Sequence, residues 1–535
     1  MAASCHEQPG QQQAELISSS NLGSIKPSPH ALLLPYPAQG HINPFMQVGQ
    51  RLVAQGVRVT LATVDHLYAK IVRSSQQQLS SSGTHTAHNH FQLLGIKDGL
   101  PPDFDRDTWT EFLQNSIDYG LLESALELVE SLASQGHPIT CIVSDFFLRW
   151  ASSLAEQAAV PEFILWPQCA SVFSIYLHVD AIIASGYDPF EANVPATASR
   201  ETPMTLITCV PGLPMGIHPG DLPLEYRFFG KAGVDWIRGV LSDRFKCMGK
   251  AMGVIGNSFE ALEPEVLGAL TLEFQKGIPH PNYGNCWPKS IRLVGPLLPM
   301  TEGKVGGVGG DAVSGASSFW AEEVDECREW LDLQPSASVI LVAFGSISTM
   351  NVEQVQELAL GLAGSGERCL WVIRENAIKG GSEAESSVQL EEVLPKGFLE
   401  KRKQGVCKVV RWAPQAMVLS HPAVGGFFSH CGWNSTLESL CSGVPLLGWP
   451  WFMDQVTNCW LASQVWKVGL TLERDQNNQA SRAQVERGVR QLMSGALASS
   501  LRARARQLSD LAHQALLLNH NFLSFVDDIR NLPLV

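Results

Sequence analysis

Between residues 423 and 455 the sequence sets His430, Asn434, Ser435, Glu438, Asp454 and Gln455 among glycines and tryptophans. Short polar donors and acids in that company suit the gripping of a phosphate-bearing ligand. Residues 423–430 form an apolar run of strand type, His430-Cys431-Gly432 turns the chain, and Trp433-Asn434-Ser435 opens a helix. A helix start carries unpaired backbone N–H groups and partial positive charge, aimed here out of the carboxyl end of a strand. Gly432 lets a diphosphate approach the backbone, and His430, Asn434 and Ser435 can donate to its oxygens. Residues 444–449 then read as a second buried strand and 450–453 as a loop, which puts Asp454 and Gln455 at the next strand-to-helix corner. Adjacent corners of one parallel sheet face one crevice. Local readings compete: Ser435 and Glu438 stand at capping-box spacing, Asp454 suits a helix cap, and Trp412 or Trp433 alone suits packing.

Two further candidates lie in the first half. Residues 30–34 read as a strand and 35–40 as its turn. Asn43 is then expected to cap a helix with Pro44 at its first position and Phe45, Val48 and Leu52 on one face. With a strand at 57–63 this makes a β-α-β opening that leaves His41 at the turn. A strand at 139–144 delivers Asp145 at its carboxyl end before a helix over 146–158. His41 is either a polar loop contact or a base, and Asp145 either a cap or a functional acid. The second half restarts an α/β pattern. A strand at 338–344 is followed by a Gly345-Ser346 turn, a helix at 352–363 and a strand at 369–374.

The run W-A-P-Q, H-P-A-V-G-G-F, H-C-G-W-N-S-x-x-E-S, G-V-P and D-Q resembles the signature of the plant secondary product glycosyltransferases, the family 1 UDP-dependent glycosyltransferases. The resemblance extends from about residue 29 onward. It implies an α/β chain of GT-B fold, two Rossmann-like β/α/β domains facing each other across a cleft. Residues 29–298 would form the acceptor domain, 299–320 a linker, 321–510 the UDP-sugar domain, and 511–535 a helix returning to the first domain. It implies that Trp412 stacks on uracil, with Ala413 and Gln415 holding base and ribose and Glu438 accepting from the ribose hydroxyls. His430, Gly432, Asn434, Ser435 and Ser346 would hold the diphosphate, and Trp433, Asp454 and Gln455 would face the sugar, glucose by the family's usual choice. Met453 departs from the small residue common at that place, which bears on the sugar pocket. His41 in P-A-Q-G-H-I-N-P matches the family's catalytic base, and Asp145 in I-V-S-D-F its orienting acid. The implied reaction is inverting transfer of a hexose from a UDP-sugar to a hydroxyl or carboxyl of a small lipophilic acceptor. Neither a metal nor a cofactor beyond this co-substrate is expected.

Length and composition agree with that expectation. The 535 residues exceed one ordinary core, so two α/β domains are expected. A net charge of −14 gives no basic footprint for nucleic acid or acidic lipid. The 12 cysteines include no C-x-x-C pair, which suits reduced thiols in the cytoplasm. Residues 1–28 read as a polar disordered tail without a secretory core, and no apolar run is long enough to span a membrane. The Ser/Gln-rich stretch 74–90 holds His85, His88 and His90 but no Cys or carboxylate beside them, so a solvated loop is expected there. A monomer is expected. A Rossmann oxidoreductase lacks its G-x-G-x-x-G after the first strand, and a serine hydrolase its G-x-S-x-G. The remaining alternative is a UDP-sugar-binding protein without turnover.

Overall fold

Strand segments such as HALLL, CIVSD and VILVA are buried along their whole length, the pattern of parallel sheets covered on both faces by helices. A computed structural model gives their arrangement. It describes residues 28–79, 90–101, 104, 120–187, 206–223, 225–301, 304–305, 323–345, 349–374, 377–379, 390–475 and 477–533.

The first sheet contains β1 (His30–Leu34), β2 (Arg58–Val64), β3 (Phe91–Ile96), β4 (Cys141–Asp145), β5 (Glu162–Trp166), β6 (Gly253–Gly256) and β7 (Ile291–Leu293). Their spatial order is β3-β2-β1-β4-β5-β6-β7, with parallel ladders throughout. The second contains β8 (Val339–Ala343), β9 (Arg368–Val372), β10 (Cys407–Val410), β11 (Val424–Ser429), β12 (Leu446–Gly448) and β13 (Gly469–Thr471). Its order, β10-β9-β8-β11-β12-β13, is also all parallel. Both are doubly wound, and the strand order reverses between β1 and β4 in one and between β8 and β11 in the other. Open α/β sheets bind ligands outside the carboxyl ends of the strands at such reversals.

The chain returns to its first domain at the end. The helix Gly495–Leu518 stops at Asn519, which takes the left-handed conformation (φ 49°) that ends helices, and His520–Arg530 follows. The break thus falls at Asn519, inside the segment expected to begin at 511. Phe522, Phe525, Val526 and Ile529 pack with the first sheet's core, and Phe525 meets Phe163 edge-on at 5.1 Å. Asp528 pairs with Arg292 at 2.6 Å, and Arg530 donates to the Gln55 carbonyl at 2.6 Å. Half-buried Arg51 donates to the Pro296 carbonyl at 2.7 Å and lies 5.9 Å over the Phe522 ring. It therefore locks the helix Gln39–Ala54 to the end of the first domain and to the returning helix.

Several boundaries differ from the sequence expectation. The first helix starts at Gln39, not Asn43, so Pro44 lies inside it. The chain after β4 makes turns before its helix begins at Ala151. The helix Asp65–Leu79 continues into the first residues of the stretch expected to be loop. Met300–Thr301 and Lys304–Val305 form a small antiparallel pair at the start of the expected linker. The tail, His85, His88, Ser346 and most of the linker lie outside the described residues. Among those described, no helix is long and apolar enough to cross a membrane.

Phe525→Ala removes a fully buried ring from the seam between the returning helix and the first sheet. It is expected to cost about 3–5 kcal/mol, read from equilibrium denaturation.

Candidate active site

His41 lies in the first turn of the helix after β1, and Asp145 ends β4, so the pair bridges the reversal of the first sheet. His41 Nδ1 donates to Asp145 Oδ2 at 2.8 Å. Asp145 is fully buried, and its other oxygen accepts from the backbone N–H of Phe147 at 2.9 Å. The two readings of Asp145 are thus both realised, one oxygen capping the following turn and the other holding the imidazole. An ionised carboxylate only accepts, which assigns the Nδ1 proton and leaves the Nε2 lone pair as a base. Tyr36 (centroids 5.0 Å apart) and Phe147 (5.5 Å, edge-on) fix the ring from its sides. Phe147 in turn stacks on Trp166 at 5.6 Å, so the base stands in an aromatic wall.

At the reversal of the second sheet, β11 runs into His430-Cys431-Gly432 and the helix Trp433–Cys441. Cys431 takes a left-handed φ of 63°, which turns the chain sharply into that helix. A β-carbon at Gly345 or at Gly432 would stand 2.5 Å from His430 Nε2, so the two glycines make the slot in which the imidazole sits. Burial, reinforced by the Arg374 cation, pushes His430 down to about 4, and it is neutral at neutral pH. Its Nδ1 is buried without a hydrogen-bond partner among the described residues.

The expected capping box at Ser435 and Glu438 does not form. The helix begins at Trp433 with Gly432 as its cap, so Ser435 falls inside the first turn and Glu438 beyond it. Both instead accept from Gln415 Nε2, at 2.9 Å and 2.6 Å. Glu438 keeps some surface open, but the protein around it withholds water and pushes its carboxyl up to about 7, against the pull of the Gln415 hydrogen bond. Trp412 is half-buried beside this cluster in sequence, and Ala413 is buried.

At the next corner Asp454 occupies the cap position of Gln455–Trp460, yet its side chain makes no cap bond. Asp454 Oδ2 accepts from Asn458 Nδ2 at 2.7 Å. Burial raises its carboxyl to about 6, while the Asn458 bond and then nearby His41 oppose the rise. Gln455 Oε1 accepts from Trp451 N at 3.0 Å, which leaves its amide N–H groups as donors. The Trp433 indole is buried and donates to the Asn257 carbonyl across the cleft at 2.6 Å, so the part of Trp433 left for a ligand is its backbone at the helix start. Asn434 Nδ2 also crosses, to the Gly40 carbonyl at 2.8 Å.

Sequence reasoning missed Asn458, which binds both Asp454 and the Cys431 carbonyl (3.0 Å). Its spacing of four from Asp454 on a helix was the available signal. Asn257 and Arg374 follow strand ends, which marks them as lying at the functional edge, but only the sheet order says what they meet there.

An unfolded chain releases the Glu438 proton near 4.5 and the folded chain near 7. Between those values the fold holds the extra proton, so this group's stabilising contribution is present below 4.5 and lost as pH rises through about 7. Glu438→Gln carries no charge to desolvate. It is expected to melt above the parent at about pH 8, with the gain shrinking toward about pH 5, in thermal scans without nucleotide. An equal shift at both pH values would count against a charged, desolvated Glu438.

Comparison with known proteins finds relatives along nearly the whole chain. The family profile described as UDP-glucoronosyl and UDP-glucosyl transferase matches residues 321–514. The chain is 34% identical to UDP-glycosyltransferase 85A7 of Arabidopsis thaliana over 92% of its own length and 94% of the relative's. It is 33% identical to 7-deoxyloganetin glucosyltransferase of Gardenia jasminoides, covering 92% and 95%. The crystal structure of Os79 from O. sativa in complex with UDP superposes with a TM-score of 0.71 at 28% identity, over 93% of this chain and 100% of that one.

Proposed function

The chain belongs to the UDP-glucuronosyl and UDP-glucosyl transferase family, and from that premise we propose that it moves glucose from UDP-glucose onto a hydroxyl or carboxyl of a small lipophilic acceptor. The observation that carries the reading is the His41–Asp145 pair at 2.8 Å, standing across the cleft from a helix start free of any side-chain cap. A protein that only stored the nucleotide sugar would need no oriented base. The glucosyltransferase among the relatives supports glucose as the sugar.

In this mechanism the acceptor O–H gives its proton to His41 Nε2, and Asp145 stabilises the imidazolium through Nδ1–H. The acceptor oxygen attacks the anomeric carbon from the side opposite the diphosphate. The bond from that carbon to the β-phosphate oxygen breaks and its electron pair leaves with UDP, so configuration inverts in one displacement. Backbone N–H groups at Gly432–Ser435, neutral His430 and Ser346 receive the negative charge that develops there. Trp412 offers its ring face to uracil, with Ala413 and Gln415 beside base and ribose. Glu438 accepts from the ribose hydroxyls, and Asp454 and Gln455 meet the sugar's hydroxyls.

His41→Ala is expected to lower turnover by about 10²–10⁴-fold while UDP affinity by calorimetry stays unchanged. Asp145→Asn should likewise reduce kcat far more than donor affinity. Mass spectrometry of products from UDP-glucose, UDP-galactose and UDP-glucuronate with phenols, flavonoids, terpenoid alcohols and carboxylic acids tests the reaction itself. No hexose transfer from any donor, or full activity in His41→Ala, would overturn the reading. Gln455→Ala is expected to reorder the three donors, and an unchanged order would remove that side chain from the sugar site.

A further inference from the structure

Proline inside a helix lacks the N–H that would bond the carbonyl four residues back, and its ring crowds that carbonyl outward. In the helix Gln39–Ala54 the proline is Pro44, and the carbonyl four residues back belongs to Gly40, next to His41. That carbonyl accepts instead from Asn434 Nδ2 of the opposite domain at 2.8 Å. Because a carbonyl can only accept, the amide of Asn434 must present its nitrogen there. Its oxygen is turned toward Asn257 Nδ2, 3.5 Å away.

We propose that Pro44 is a positioning residue: by freeing the Gly40 carbonyl for Asn434 it ties the diphosphate end of the donor to the helix that carries the base. The proposal rests on the functional reading above, in which Asn434 faces the diphosphate. An amide nitrogen has two hydrogens, so one can serve a phosphate oxygen while the other holds Gly40. Gly40 is exposed, and water competes for its carbonyl whenever the cleft is open. A donor seated in the cleft displaces that water, and the same hydrogen bond strengthens as its surroundings lose dielectric. Occupancy of the diphosphate site thereby favours the closed placement of His41. The tie spans the two domains with one hydrogen bond, and its existence depends on a residue that touches neither donor nor acceptor.

The test is Pro44→Ala, which restores an N–H able to close the helical bond onto Gly40 and compete with Asn434. Helix propensity alone makes this change favourable for the helix, so a purely structural proline predicts altered stability with kcat following it. The tie predicts a split: UDP affinity by calorimetry within about threefold of the parent, and kcat lower by about five- to tenfold, the worth of one hydrogen bond. In a double-mutant cycle with Asn434→Ala, the two losses in kcat should be clearly less than additive. The cycle also covers a poorly folding Pro44→Ala, because Asn434→Ala alone should then lower kcat more than the loss in UDP affinity explains. Parental kcat in a folded Pro44→Ala, or additive losses, overturns the tie and leaves the functional reading standing. A parent that neither binds UDP nor transfers sugar overturns both.

Discussion

The hydrogen bond between His41 and Asp145 sets the terms for the rest of the molecule. A buried carboxylate that only accepts places the proton on Nδ1 and turns the Nε2 lone pair toward the cleft. The bond requires β1 and β4 to be neighbours although 104 residues separate the two side chains. A doubly wound sheet meets that need at its reversal, where the connections after β1 and β4 diverge and leave a crevice between them. The second sheet repeats the order, so its own reversal presents Gly345, His430 and Gly432 to the same space. Two copies of one topology thus supply a base from one side and a helix start from the other.

The cleft carries several features that cost stability. Glu438 and Asp454 are acids that burial drives toward their neutral forms, and His430 holds a buried nitrogen without a partner among the described residues. Cys431 and Met453 adopt left-handed φ of 63° and 54°, a region that side-chain-bearing residues rarely occupy. Each stands just before the turn into a helix that starts at the carboxyl edge of the second sheet. In the proposed function a UDP-sugar answers most of these costs: its hydroxyls donate to the acids and its phosphates accept from the exposed helix start. Acids held near neutrality beside an open helix start are what a binding site shows and a core does not.

Much of this was legible in the sequence, for reasons that can be named. Strands buried on both faces are continuous apolar runs, so VILVA and CIVSD announce themselves and their last residues mark the functional edge. Local chemistry misled where a tertiary contact outbid it. Asn43-Pro44 reads as a helix start, but the helix begins at Gln39, where Gly40 and His41 need helical geometry to face the other domain. Ser435 and Glu438 have capping-box spacing, but Gln415 claims both side chains from another helix. Asp454 stands at a cap position and spends its oxygen on Asn458 instead. No local pattern encodes Asn257, because its carbonyl and amide matter only once the two sheets face each other.

The helix starts that face the donor in the proposed function also carry side chains that hold the domains together. Trp433 donates to the Asn257 carbonyl, Asn434 to that of Gly40 and Thr457 to that of Asp221, and Asn458 accepts from the Cys169 thiol. Trp433 and Trp460 belong to an apolar cluster that continues through Trp166 and Phe173 of the first domain. The contacts these residues make across the cleft persist only while the halves are apposed. A ligand that prefers the assembled crevice favours the apposed arrangement by its differential affinity. His41 sits across the cleft, next to the Gly40 carbonyl that Asn434 holds. In the proposed function the base and the leaving group's site are thus held in register by the same contact across the cleft.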